Sequence, residues 1–145
     1  MSQFSLRTMA LAGILTLVQA SAAYGQEGQK RFLASAYEFL NSCASCHGES
    51  GRGAGLLTRI FRGVDPGDLT QLSKNNEGVF PLERVFDVID GRREVAAHGE
   101  RKMPVWGDRY MERSMSEYGP DEMNKMRARR RVLELVYYIQ SIQER

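Results

Sequence analysis

The chain has 145 residues, with 20 basic and 18 acidic side chains and two cysteines. This length is typical of one domain, and a formal charge of +2 gives no reason to expect a nucleic-acid-binding protein, whose domain should be clearly basic. No run reaches the roughly 18 apolar residues of a membrane-spanning helix, so an integral membrane protein is not expected. Two cysteines are also too few for a scaffold of several disulfides.

The first 25 residues have the pattern of a secretory signal peptide. They contain one basic residue, Arg7, followed by a largely apolar stretch at 9–18 and by small residues up to Gly25. A basic start, a short apolar core and a small-residue site are typical of export signals. We predict cleavage after Gly25, with Ala23 as the alternative, which leaves residues 26–145 as a single exported domain in the periplasm.

Both cysteines lie in the sequence Cys43-Ala44-Ser45-Cys46-His47, for which three interpretations compete. A thioredoxin-like redox pair is expected near a βαβ pattern, whereas residues 32–40 before it have a helical pattern. A zinc site needs four ligands, and His98 is the one remaining histidine. Covalent attachment of a c-type haem needs only the two thiols and the following imidazole, which binds the iron. The predicted export and the absence of other cysteines favour the haem.

With this motif the chain resembles the single-haem class I cytochromes c of bacteria. The resemblance rests on residues 43–48, on Phe39 four positions before the first cysteine, and on the C-terminal segment 135–139, Leu-Val-Tyr-Tyr-Ile. It implies an all-α cytochrome c fold, in which helices surround one haem c attached through Cys43 and Cys46. His47 is then an axial ligand of the iron.

The resemblance also calls for a methionine as the second axial ligand. Met103 begins the string Met-Pro-Val-Trp-Gly, which is similar to the family's ligand loop, and His98 is the rival ligand. An iron with both axial positions filled leaves no position for a substrate, which favours an electron carrier over an enzyme. In the family a proline carbonyl supports the proximal histidine, and Pro66 is the candidate here.

The remaining elements are predicted from periodicity and from capping residues. Asp68 is expected to cap a short helix ending at Leu72. A helix opens near Pro81 and ends at Gly91, a short one covers 108–118, and a final helix runs from Pro120 to about Gln143. The residues expected to face the core are Leu82, Val85, Phe86 and Ile89 in the first of these and Val132, Leu135, Ile139 and Ile142 in the last.

Two other residue groups have competing interpretations. Met111, Met115, Met123 and Met126 lie in helix-forming sequence and are expected to fill gaps in the core. Arginines at 127 and 129–131 form either a solvated helix face or a docking site for an acidic redox partner. Arg92, Arg93 and Arg101 are either surface residues or partners of haem propionates, and Trp106 is expected beside the haem or in the core.

The sequence therefore predicts a soluble protein that carries one electron on a haem c with His47 and Met103 as axial ligands. Its expected partners are redox proteins, namely a dehydrogenase, a cytochrome complex or an oxidase. The alternative is a haem c subunit of a periplasmic dehydrogenase or oxidase complex. A haem sensor or catalyst with an open iron position is a third hypothesis and requires that Met103 does not bind the iron.

Overall fold

The structure is a computed structural model that describes residues 25–60, 65–93 and 104–144. It divides into two units, Met1–Ala34 and Ser35–Arg145. In the first unit the described residues 25–34 are helical and exposed, and Arg31 Nε lies 3.3 Å from Glu27 Oε1 one turn earlier. The predicted signal peptide lies outside the described residues except for Gly25, so its cleavage stays a prediction.

The described residues are helical or irregular, with no β-strand among them, which confirms the prediction of an all-α chain. None of the helices in these ranges is long and apolar enough to cross a membrane. The α-helices are α1 at 25–42, α2 at Ala44–His47, α3 at Leu56–Ile60, α4 at Leu82–Asp90, α5 at Trp106–Tyr118 and α6 at Asn124–Ser141. Two 3₁₀ turns, Leu69–Gln71 and Lys74–Asn76, lie between α3 and α4.

The last helix forms the centre of the second unit, because α6 packs against both α4 and α5. Its apolar residues recur at the helical period and form one buried stripe. Phe39 of α1 and Tyr110 of α5 join this stripe, and both are almost completely buried. The buried core consists of Phe39, Val85, Ile89, Trp106, Tyr110, Ala128, Val132, Leu135, Val136 and Ile139.

The predicted ends of the middle elements are confirmed. Asp68 caps the turn Leu69–Gln71, and its side chain accepts a hydrogen bond from the backbone N–H of Thr70 at 2.8 Å. Helix α4 ends at Gly91, which has φ of 91° and donates its N–H to the carbonyl of Asp87. A side chain at Gly91 would also meet Val105, with 3.1 Å between the added Cβ and Val105 Cγ2.

The prediction for the start of α6 is wrong by about four residues. Pro120 precedes a turn, and the helix begins at Asn124. The carboxylate of Asp121 accepts the backbone N–H of Met123 at 3.0 Å and pairs with Arg127 at 2.7 Å. An aspartate that binds backbone two residues ahead stabilises a turn rather than a helix interior, so the helix starts after it.

The methionines differ from the prediction as well. Met111 packs against the core, but Met115, Met123 and Met126 are between 46% and 57% exposed. Ala128 and Val132 already occupy the buried face of α6, and Met126 lies two residues from Ala128 and therefore on the opposite side of the helix. The expectation that these three methionines fill the core is wrong.

Candidate cofactor-binding site

The cysteine motif forms one helical turn at the end of α1. Cys43 donates its backbone N–H to Phe39 at 2.8 Å, and His47 donates to Cys43 at 2.9 Å. Residues four apart lie on the same side of a helical turn, so the turn directs Cys43 and His47 to one side. Cys46, three residues after Cys43, lies at the edge of that side.

Cys43 and His47 line the same cavity, which measures about 290 Å³, or about 1130 Å³ with the space in its mouth included. Small-molecule sites usually begin near ~300 Å³. The cavity reaches into the core, since its walls include the buried side chains of Phe39, Ile89 and Leu135. The remaining lining residues are Pro66, Leu69, Leu72, Asn75, Asn76, Pro81, Arg84, Val85, Val88, Trp106 and Ile139.

Cys46 lines a second cleft, of about 440 Å³, beside the first one. Trp106 belongs to the walls of both spaces. Both thiols are free. The structure thus brings Cys43 and His47 together in one cavity and places Cys46 in the adjoining cleft.

The glycine-rich loop at 48–55 folds back onto the cysteine turn. Gly53 donates its N–H to the carbonyl of His47 at 2.8 Å, and Gly55 donates to Cys46 at 3.1 Å. A Cβ added to Gly55 would come within 2.6 Å of the carbonyl carbon of Cys46. Because real Cβ atoms do not approach backbone so closely, a side chain at Gly55 would separate the loop from the turn.

The environment of Cys43 favours its protonated form. Burial, and secondarily the negative charge of Glu38, raise the pKa of the Cys43 thiol to about 12. A group with this pKa is almost entirely a thiol at neutral pH. Cys43 therefore lies in the cavity without a charge, as its apolar walls require.

Glu38 is the centre of a polar network at the edge of the second cleft. Its carboxylate accepts hydrogen bonds from the hydroxyl groups of Ser42 at 2.9 Å and Tyr110 at 3.2 Å. Arg113 Nη1 lies 3.4 Å from Oε2, the other oxygen of the same carboxylate. Burial, and then the charge of Glu38, raise the pKa of Tyr110 well above its ordinary value. These contacts join α1 to α5 and fix the side of the cleft that holds Cys46.

The predicted distal ligand lies outside the described residues, as does its rival His98. Pro104 and Trp106, which follow Met103, are described, and Trp106 is 8% exposed in the core and the cavity wall. The core, which was the alternative expected for Trp106, is confirmed, and its place beside a haem stays a prediction. Pro66 lines the same cavity as His47, whose Nδ1 atom is buried. The hydrogen bond between them stays a prediction.

The arginine run at 127–131 is mostly paired within the chain. Arg127 pairs with Asp121, Arg130 with Glu134 and Arg131 with Glu117. The guanidinium of Arg129 lies 5.8 Å from the centroid of the Phe86 ring. These contacts favour the solvated helix face over a dedicated docking site. Arg92 likewise pairs with Asp90 at 2.6 Å, and Arg101 lies outside the described residues.

Besides Cys43 and His47, the cavity has three polar residues that the sequence motifs do not indicate, namely Arg84, Asn75 and Asn76. One signal could have found Arg84. It lies three residues after Pro81 and four before Val88, which puts it on the same helical face as the lining residues of α4.

No protein-family model, curated protein or solved structure matches the chain. Within the described ranges, no group of three or more His, Cys, Asp or Glu side chains could hold a metal ion. The described residues thus contain no zinc-type ligand cluster around Cys43 and Cys46.

Proposed function

We propose that the chain is an electron-transfer protein that carries one electron on a covalently bound haem c. Cys43 and Cys46 attach the cofactor, and His47 and Met103 are the axial ligands. The observation that carries the proposal is that Cys43 and His47 line one apolar cavity walled by the core of the domain. Residues 1–25 direct export, and the carrier works in the periplasm.

The described residues fit such a cofactor. The uncharged Cys43 thiol and the His47 imidazole reach the same cavity from a single helical turn, and the side chains around them are mostly apolar. The loop held on Cys46 by Gly55 keeps the backbone of this turn compact. Cys46 lines the adjoining cleft, which shares the lining residue Trp106 with this cavity.

Each residue has a defined task in the proposed carrier. A haem c supplies a one-electron ferrous/ferric couple when bound. The walls built from Phe39, Ile89 and Leu135 exclude water from the cavity. His47 and Met103 occupy the two axial positions, and methionine with histidine ligation raises the potential. With both positions filled there is none for a substrate, which makes the chain a carrier and not an enzyme.

Covalent attachment is tested by producing the full chain together with a haem-attachment system. We expect the denatured protein to retain one haem, and Cys43→Ser and Cys46→Ser each to lose one thioether bond. Ser45→Ala is the matched control, because Ser45 is exposed between the two cysteines. A wild-type protein that releases its haem on denaturation, or binds none, would overturn the proposal.

The axial methionine is tested by Met103→Ala, with Met115→Ala as the control, since Met115 is exposed on α5. Removing the thioether should lower the midpoint potential and allow the reduced protein to bind carbon monoxide rapidly. The wild type and the control should bind it slowly. If Met103→Ala leaves the spectrum and the potential unchanged, Met103 is not a ligand and the open-site hypothesis of a sensor or catalyst gains support.

One observation favours the second candidate, a haem c subunit of a periplasmic dehydrogenase or oxidase complex. A groove of about 710 Å³ between α4 and α6 is lined by the apolar residues Leu82, Phe86, Met126 and Leu133 together with five charged residues, and Met126 is 57% exposed. Exposed methionine is frequent at binding surfaces. Size-exclusion chromatography of a periplasmic extract decides: haem absorbance at the mass of the chain indicates a free carrier, whereas elution together with an oxidoreductase indicates a subunit.

A further inference from the structure

The cavity that holds Cys43 and His47 is apolar in its depth and polar at its surface. Phe39, Ile89 and Leu135 are buried, whereas Asn75, Asn76 and Arg84 are exposed although they line the same space. A site of this kind matches an amphipathic ligand, with an apolar body inside and a polar edge at the mouth.

Arg84 is the only Lys, Arg, Asp or Glu side chain that the described residues contribute to this cavity. It lies on the face of α4 that also carries the cavity-lining residues Pro81, Val85, Val88 and Ile89. An arginine at this position in an apolar stripe is unusual, because the stripe is otherwise suited to burial. A ligand that fills the cavity would remove part of the water around the exposed Arg84 guanidinium, which favours an anionic partner on that ligand.

The protein itself supplies no such partner within the described ranges. Arg92, Arg127 and Arg130 each pair with an acidic side chain, whereas Arg84 makes no ion pair with any described residue. Asn76 uses its amide to donate to the carbonyl of Val79 at 2.7 Å. Among the polar residues at the mouth, Arg84 is therefore the one that can neutralise a negative charge.

We propose that Arg84 binds a carboxylate of the cofactor at the mouth of the cavity. This inference rests on the proposed function, and the carboxylate would then be a propionate of the haem. A guanidinium can donate two parallel hydrogen bonds to a carboxylate. Arg84 is thus a positioning residue that orients the cofactor and places a positive charge close to it.

A nearby positive charge disfavours the ferric form, because the ferric form has one more positive charge than the ferrous form. Arg84 therefore raises the midpoint potential, and its removal should lower it. The effect should depend on the charge at residue 84 and not on the total charge of the protein, because distant surface charges are screened by salt.

The test compares the haem-loaded variants Arg84→Gln, Arg84→Lys and Arg84→Glu with Arg129→Gln. The last variant removes the same charge from a residue that lines the separate groove between α4 and α6. We expect the midpoint potential to fall in Arg84→Gln, to fall further in Arg84→Glu, and to be largely retained in Arg84→Lys. Arg129→Gln should leave it near the wild-type value. Circular dichroism of each variant checks that the fold is intact.

Two results would overturn the assignment of Arg84. One is a shift in Arg84→Gln no larger than that in Arg129→Gln, and the other is a potential in Arg84→Lys as low as that in Arg84→Gln, since a retained charge would then have no effect. In both cases the haem is still attached and the electron-carrier proposal stands. A wild-type chain without covalent haem would instead reject the proposed function, and Arg84 would lose its ligand with it.

Discussion

Phe39 and Tyr138 stack with their ring centroids 5.1 Å apart and their planes tilted by 44°. Phe39 comes from the end of α1 and Tyr138 from the second half of α6. Phe39 is completely buried and also lines the cavity beside Cys43. The contact thus ties the helix that leads into the cysteine turn to the helix at the centre of the core.

This contact predicts a large loss of stability when the Phe39 ring is removed. Phe39→Ala should lower the free energy of unfolding by about 3–5 kcal/mol, because it removes a buried ring and leaves a cavity. Tyr138→Ala should also destabilise the fold, whereas Tyr137→Ala, 53% exposed on the same helix, should change it by less than about 1 kcal/mol. Denaturant unfolding measures all three. Equal losses in Tyr137→Ala and Tyr138→Ala would contradict the assigned packing.

The packing of α6 was predictable because its pattern repeats over several turns. Val132, Leu135 and Ile139 are spaced for one face of a helix, and all three are buried. The cap at Asp68 and the stop at Gly91 were predictable as well, since each depends on local backbone chemistry alone. Single-sequence patterns succeed where one short-range effect dominates.

The features that the sequence did not indicate depend on packing between helices or on competition among local contacts. Met126 is an apolar residue of a kind that often lies in cores. It is exposed because the face of α6 that packs against α4 and α5 is a different one. The start of α6 shifted because Asp121 binds backbone locally and Arg127 by its side chain. The position of Arg84 on the cavity that contains Cys43 and His47 depends on how α4 packs in the fold.

Gln143, just after the end of α6, joins this helix by hydrogen bonds to the segment that follows Asp68. Its amide donates to the carbonyls of Leu69 at 2.7 Å and Ile139 at 2.8 Å, and its side-chain oxygen accepts the N–H of Ser73 at 2.8 Å. Gln143→Ala should cost about 1–3 kcal/mol of unfolding free energy, because these backbone groups lose their partner. Gln140→Ala removes an exposed glutamine from the same helix and should have little effect. Faster exchange of the Ser73 backbone amide in Gln143→Ala, and not in Gln140→Ala, would show that the stability is lost at this contact.

Because of Asp68, the free energy of unfolding should depend on pH in the acid range. The hydrogen bond from the Thr70 hydroxyl, at 2.6 Å, and the one from its N–H hold the pKa of Asp68 below its ordinary value of 3.8. A carboxyl with a lowered pKa in the folded state stabilises the fold above its unfolded pKa, and this contribution is lost as the pH falls through the folded pKa. Asp68→Ala should therefore cost about 1 kcal/mol at pH ~6, and the difference from wild type should shrink toward pH ~2.

The control for Asp68 is Asp65→Ala, which removes a carboxylate from the same segment. Among the described residues, Asp65 accepts one hydrogen bond, from the N–H of Gly67 at 3.0 Å, and it is exposed. Denaturant unfolding at several pH values measures both variants. A difference between wild type and Asp68→Ala that stays constant down to pH ~2 would contradict the role assigned to the carboxylate.

Tyr110 should make stability depend on alkaline pH with the opposite sign. Burial and the charge of Glu38 raise its pKa above the ordinary value of 10.0, so the folded protein holds this proton longer than the unfolded chain does. The resulting stabilisation is complete below pH ~10 and is lost as the pH rises toward the folded pKa. Tyr110→Phe should cost about 1 kcal/mol at neutral pH, where it removes the hydrogen bond to Glu38.

Above pH ~10 the wild type should lose stability faster than Tyr110→Phe, because only the wild type must retain a proton that the unfolded chain releases. The difference between them should therefore close or reverse by pH ~11, measured by denaturant unfolding. Tyr118→Phe removes a phenol hydroxyl from an exposed residue of the same helix and serves as the control. If the difference between wild type and Tyr110→Phe stayed constant across this range, the Tyr110 hydroxyl would not be held beside Glu38 in the way that the 3.2 Å contact requires.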